Sequence, residues 1–445
     1  MTANAIAPQA ISSTPLLDRP MPGARTALIL LLTINLFNYI DRYVLASALP
    51  AIKKELLTPD DPNTQTKEGA LALAFMLSYM ILAPLFGWLG DRWSRWWLIG
   101  LGVILWSVAS GASGLAATFW VLLATRCFVG VGEAAYGPVA PTVISDLYPE
   151  RIRGRVLSWF YMAIPVGSAL GFAWGGQMAA HSLGWRWAFY LVVPPGLLLG
   201  LLCFFMPEPA RGQADLLAHG SKPRPATIKD YRILFRIKSY VLDTLGMTAM
   251  TFAVGGIAYW MPTYIHEYRH VGDIDEVSQR FGAIVVVSGL VGTLLGGIAG
   301  DRLRGRFPGS YFLVSGAGML AAFPLFLAVL YTPFPWAWIF LFLSCFCLFF
   351  NTGPSNTILA NVTHPAIRAT GFAANIFIIH ALGDAVSPVI IGRIADSTGA
   401  PGNPNMDAGF LTVSIMILVG GILWIWGARY LERDTEIAPK LLDAS

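Results

Sequence analysis

Predominantly apolar stretches of about membrane-crossing length recur along the chain. They fall at 26–50, 70–89, 97–114, 120–145, 156–180, 187–206, 240–265, 281–299, 310–331, 335–360, 369–395 and 408–428. Inside a bilayer there is no water to satisfy backbone polar groups, so each stretch must close its hydrogen bonds internally, and a helix does so within one segment. Composition agrees. Of 445 residues, 55% are hydrophobic and only 13% charged, with a mean hydropathy of +0.59. A soluble protein of this size carries about 25% charged residues. The expected fold class is therefore an all-α integral membrane protein of twelve transmembrane helices.

Basic residues give the expected orientation. Twenty-one of the 30 lysines and arginines lie in the segments on the side of the two chain ends, six lie on the opposite side, and three fall within the spans. The positive-inside bias places both termini in the cytoplasm. The first 25 residues hold no apolar core of the signal-peptide kind and read as a disordered cytoplasmic tail, and 431–445 read as a second cytoplasmic tail. The four cysteines, Cys127, Cys203, Cys345 and Cys347, all sit in apolar spans without metal-ligand spacing and read as small packing hydrophobes.

The chain also repeats itself. Gly87, Gly90, Asp91 and Arg92 recur as Gly297, Gly300, Asp301 and Arg302, each set between the second and third spans of a six-span half. Ile152-Arg153 recurs more faintly as Ile367-Arg368. The expected organisation is a six-helix bundle over 26–206, a basic cytoplasmic linker over 207–239 ending in an amphipathic surface helix, and a second bundle over 240–430.

GWLGDRWSR (87–95) and ATRCFVGVGEAA (124–135) resemble the signatures of the major facilitator superfamily. NLFNYIDRYVLASALP (35–50), the stretch from Arg126 to Gly171, and HALGDAVSP (380–388) are similar, in order, to segments of its Spinster family. The likeness runs from about residue 30 to 430. It implies alternating access between two bundles, a cavity lined by the first and fourth helices, and a cargo such as sphingosine 1-phosphate or a lysophospholipid. It also implies that Asp91 and Asp301 lock the cytoplasmic side, with Arg92, Arg95, Arg153, Arg155 and Arg302 near them.

Charges inside spans are costly and mark sites. At about 1.5 Å per residue, Asp41, Arg42, Arg126 and Glu133 fall at comparable mid-membrane depth. Neighbouring helical residues point about 100° apart, so Asp41 and Arg42 must meet different partners. The four are expected to form one polar cluster facing the central cavity. Arg42 and Arg126 keep their charge and suit an anionic headgroup, whereas Asp41 and Glu133 can exchange protons. The bland alternative is that they pin the first helix to the fourth.

His380 and Asp384 share a face of the eleventh span and form either a substrate-path site or a packing pair. Arg393 and Asp396, further along, suit an interface or gate pair. Asn351, Ser355, Asn356 and Asn375 are further candidates for the cavity wall. Gly130 to Ala135 fits a dinucleotide fingerprint only by accident, because no strand precedes it; its small residues suit close helix packing instead. Asn361-Val362-Thr363 fits a glycosylation acceptor on the expected cytoplasmic side.

The functional expectation is a monomeric, proton-coupled secondary transporter for an amphipathic anionic lipid, with no cofactor beyond the proton gradient. No metal, nucleic acid or catalysis is expected. Its short loops suit a bacterial inner membrane. A proton-coupled exporter of drugs or organic anions, and a receptor or scaffold without transport, are the competing classes.

Overall fold

A computed structural model describes residues 20–58, 61–90, 92–210, 232–363, 368–400 and 403–438; nothing is said of the side chains of 150–155, 158 and 368–370. The helices of the first half are α1 (Ala24–Leu56), α2 (Thr64–Gly90), α3 (Arg95–Gly114), α4 (Phe119–Tyr136), α5 (Ala140–Leu147), α6 (Glu150–Ala180), α7 (Arg186–Tyr190) and α8 (Val193–Cys203). Those of the second half are α9 (Lys238–Thr263), α10 (Ile274–Arg304), α11 (Ser310–Tyr331), α12 (Trp336–Phe349), α13 (Thr352–Val362), α14 (Arg368–Ile379), α15 (Ser387–Thr398), α16 (Met406–Gly427) and α17 (Leu431–Ile437).

All twelve apolar stretches are helical. Eleven spans among the described residues are long and apolar enough to cross a membrane; the remaining stretch, 156–180, lies within the 31-residue α6. Four spans are broken into shorter helices, α4 with α5, α7 with α8, α12 with α13, and α14 with α15. A π-helical turn, Tyr264–Tyr268, ends α9, and another, His380–Asp384, separates α14 from α15. In the second, Gly383 leaves helical geometry at φ −103° and ψ −106°.

With an even number of crossings, the first span starts and the last ends on one face, here called proximal; the other is distal. Within the first half, α1 packs on α6, and α4 packs between α2 and α3. Small residues permit this: a Cβ on Gly132 would lie 2.6 Å from the Trp106 main-chain nitrogen. The fingerprint-like Gly130 to Ala135 thus serves helix contact.

The halves meet through α2 against α15 and α6 against α10. Their contacts gather at the distal end. A Cβ on Gly69 would lie 2.5 Å from the Pro388 carbonyl oxygen, and one on Gly392 would overlap the Gln65 carbonyl. Phe172 meets Phe281 with ring centroids 4.9 Å apart. At its proximal end α2 turns to its own half, Gly90 lying against Val139.

Residues 1–19, most of the linker, the first part of its surface helix and Asp91 fall outside the described residues, as does the Arg153 side chain, whereas the second tail opens with the helix α17. Gly132→Leu is expected to lower stability by about 1–3 kcal/mol or more by overpacking the α3–α4 contact, visible as a reduced Tm in detergent.

Candidate functional site

Adjacency sends Asp41 and Arg42 to different neighbours. Arg42 turns toward α4, where its guanidinium pairs with Glu133, Nη2 to Oε2 at 2.5 Å and Nε to the same oxygen at 2.7 Å. The rings of Tyr39, Phe75 and Tyr79 stand 5.0, 4.9 and 5.4 Å from the guanidinium carbon. These aromatic faces add cation–π attraction and fix the group's position. Glu133 is 1% exposed, and its Oε1 has no hydrogen-bond partner among the described residues.

Asp41 turns toward α3. At 2% exposure it accepts a short hydrogen bond from the Ser110 hydroxyl, while its Oδ2 has no partner among the described residues. It lines a small space shared with Phe37, Ser107, Ser110 and Gly196, away from the central cavity. Arg126, also 2% exposed, donates from Nη2 to Ser113 at 2.6 Å and lies over the Phe189 ring at 5.2 Å. Arg126 is the cation acting most strongly on Asp41, although the two form no direct ion pair.

The four charges therefore divide into one closed pair and one hydroxyl-supported set. This corrects the expectation that all four face the cavity. The physical reason is the 100° step between neighbours: once Arg42 faces α4 and the cavity, Asp41 must face α3. Ser110 and Ser113 were not foreseen as partners. Their signal lay in Ser107, Ser110 and Ser113 at three-residue spacing, a hydroxyl-bearing face of α3, all buried.

The central cavity, about 120 Å³, lies between the halves and is lined by Arg42, Arg126, Tyr43, Phe75, Tyr259 and Asp384 among others. Asp384 is held by His380, whose Nδ1 is 3.0 Å from both carboxylate oxygens. The π-helical turn supplies this contact and carries Asp384 to the cavity wall. Asn375 donates to Thr244 and Asn356 to the Thr352 carbonyl, both within the second half.

At the distal face, Lys53 of α1 pairs with Glu267 at 2.5 Å. Asp396 accepts from the main-chain nitrogens of Gln65 and Thr66 at 3.2 and 2.8 Å and from the Thr66 hydroxyl at 2.7 Å, capping α2. The Tyr259 hydroxyl donates to the Glu68 carbonyl. Arg393 is exposed and does not pair with Asp396, whose carboxylate is taken by the start of α2. Among the described residues, every hydrogen bond and ion pair joining the halves lies at this end.

At the proximal face, among the described residues, Arg95, Arg92 and Asp301 bond within their own half or, for Arg95, also to the start of the linker. Arg95 donates to Asp146 at 2.5 Å, Glu208 at 2.8 Å and the Pro209 carbonyl. Arg92 donates to the Trp88 carbonyl and lies over its ring. Asp301 accepts from Tyr311 at 2.9 Å rather than from an arginine, and the neighbouring Arg302 side chain is exposed.

Comparison with known proteins accounts for this architecture. Residues 31–388 match the Major Facilitator Superfamily model. The chain is 36% identical over 440 residues to protein spinster homolog 3 of Danio rerio, covering 93% of this chain and 87% of that protein. It is 37% identical over 446 residues to protein spinster homolog 1 of Homo sapiens, covering 94% and 83%. Among solved structures, an inward-facing, unoccupied bacterial homolog of the human lysosomal transporter Spinster superposes with a TM-score of 0.76 at 23% identity, covering 94% and 98%. A D-xylose-proton symporter superposes at 0.69 and 18% identity, covering 91% and 96%.

The two-bundle helical fold with its midplane cavity defines an integral membrane transporter of the major facilitator superfamily. Within it, the chain belongs to the Spinster family.

Breaking a buried pair leaves its partner charged and unpaired, so Arg42→Met should cost about 3–5 kcal/mol. Thermal unfolding should show the Arg42→Met/Glu133→Leu double variant recovering much of that loss.

Proposed function

We propose that this transporter moves an amphipathic anionic lipid, of the sphingosine 1-phosphate or lysophospholipid type, across the membrane by proton-coupled alternating access. The observation that carries the reading is the cavity wall: Arg42 and Arg126 reach it from the first half amid aromatic and aliphatic side chains, while Asp41 and Glu133 stay behind it. An arginine fork suits phosphate and carboxylate, and the apolar wall suits the start of a hydrocarbon chain. A space of about 120 Å³ holds a headgroup, so the chain of such a lipid extends beyond it.

Glu133 is the acid that competes with cargo for Arg42. A proton on Glu133 weakens the pair and frees the guanidinium for an anionic headgroup. A proton on Asp41 removes the negative charge facing Arg126 and does the same there. A ligand shifts the inward–outward balance only by its differential affinity for the two states, and these exchanges supply that difference. His380 and Asp384 form the second-half wall of the same path, with the His380 hydrogen bond orienting Asp384 toward it.

The basic-residue bias supports a cytoplasmic proximal face, and the short loops suit a bacterial inner membrane. In that orientation Arg92, Arg95, Arg153, Asp91, Asp301 and Arg302 belong to the cytoplasmic gate.

Proteoliposomes tested with labelled lysolipids, drugs and organic anions, under pH gradients of either sign, decide the matter. Lysolipid flux that follows the pH gradient is expected. Arg126→Ala should reduce it by at least about tenfold, the loss of one charge-assisted contact of about 1.5–3 kcal/mol. Asp41→Asn should leave binding measurable but remove the dependence on the gradient. Flux of drugs or organic anions without lysolipid would replace the lipid assignment, and lysolipid flux indifferent to pH would remove the proton.

A further inference from the structure

The distal gate buries a carboxyl that the central site does not use. Glu68, in the second turn of α2, is 0% exposed, and neither of its side-chain oxygens has a hydrogen-bond partner among the described residues. One turn earlier, the Gln65 side-chain oxygen is buried and likewise without a partner.

The groups facing Glu68 come from every element packed there: Lys53 from α1, Tyr259 and the π-turn residues Glu267 and Tyr268 from α9 and its extension, and Asp396 from α15. None supplies it with a partner. Lys53 is drawn to Glu267 at 2.5 Å. The Tyr259 hydroxyl goes to the main-chain carbonyl of Glu68, not to its carboxyl. The free N–H groups at the start of α2, the usual cradle for an acid in this position, are taken by Asp396.

Glu68 thus shares the interface with two further acids and one lysine, and that lysine is already paired with Glu267. An ionised carboxylate buried without a partner costs several kcal/mol, and neutralisation by a proton is the ordinary escape.

We propose that Glu68 is a proton-binding site of the distal gate: the halves close there with Glu68 protonated, and loss of that proton favours separation of α2 from α9 and α15. This site is separate from Asp41 and Glu133 and does not depend on their role. It makes closure of the distal face respond to the pH of the compartment that face meets.

The test uses full-length protein in nanodiscs, with Cys127, Cys203, Cys345 and Cys347 replaced by alanine and spin labels at Ser182 and Ser397, exposed at the distal ends of the two halves. Distances are read by double electron–electron resonance from about pH 5 to about pH 9, the span over which displaced carboxyls titrate. In otherwise unaltered protein the longer-distance population should grow with pH, its ratio to the shorter rising by up to about tenfold per unit for a single proton. Glu68→Gln should favour the short distance and remove the Glu68 share of the pH dependence, leaving only that of the central acids, and Glu68→Ala, where no amide must fit, should do the same. Asp41→Asn should leave the dependence in place, which separates this site from the central one. Distances indifferent to pH, a pH dependence unchanged by both Glu68 variants, or closure that follows sodium concentration at fixed pH would each overturn the proposal.

Discussion

Everything at the centre of this transporter hangs on one ion pair held out of water. Arg42 and Glu133 join α1 to α4 at 2.5 Å, and three aromatic rings surround the guanidinium. Desolvating two charges is expensive, and their attraction compensates only when the geometry is close. The pair is therefore a constraint as well as a contact. With Arg42 committed to α4 and the cavity, Asp41 has only the α3 side left to it, and Ser110 is the group that meets it there. Arg126 is held in turn by Ser113 on the same helix face. A helix that does not line the cavity thus sets the position of one cavity arginine and of the acid behind it.

The two faces are built on different principles. Distally, the halves touch backbone to backbone where glycines allow it, with Asp396 capping a helix that belongs to the opposite half. Such a joint is sensitive to any added side-chain volume, because no flexible side chain stands between the main chains. Proximally, among the described residues, Arg95, Arg92 and Asp301 satisfy themselves within their own half. Among the described residues, the hydrogen bonds and ion pairs that join the bundles are distal ones.

Much of this was legible from the chain. The length of each apolar stretch matches its helix. The 100° step per residue parts Asp41 from Arg42, and the four-residue spacing brings His380 to Asp384. What sequence could not supply was direction. Nothing local says whether Asp41 looks at α3 or α4, since that depends on how α1 is rotated against α6. The π-helical turn that carries Asp384 to the cavity wall is a tertiary adjustment without a period of its own. Glu68 escaped notice because it stands just ahead of the apolar run at 70–89, where an acid reads as part of a solvated loop. The approach of α9 and α15 from the other half closes over it.

The depth of the charged groups has an electrical consequence. Asp41, Arg42, Arg126 and Glu133 sit near the middle of their spans, whereas Lys53, Glu68, Glu267 and Asp396 sit at the distal ends of their helices. Moving one charge across a full potential of 100 mV is worth about 2.3 kcal/mol, in proportion to the fraction of the field crossed. A charge reaching the central group from either side crosses a sizeable part of that field; one arriving at the distal group from its adjoining solution crosses almost none. The central site is therefore exposed to membrane voltage as well as to concentration, while the distal ring of charges registers chiefly the composition of the solution outside it.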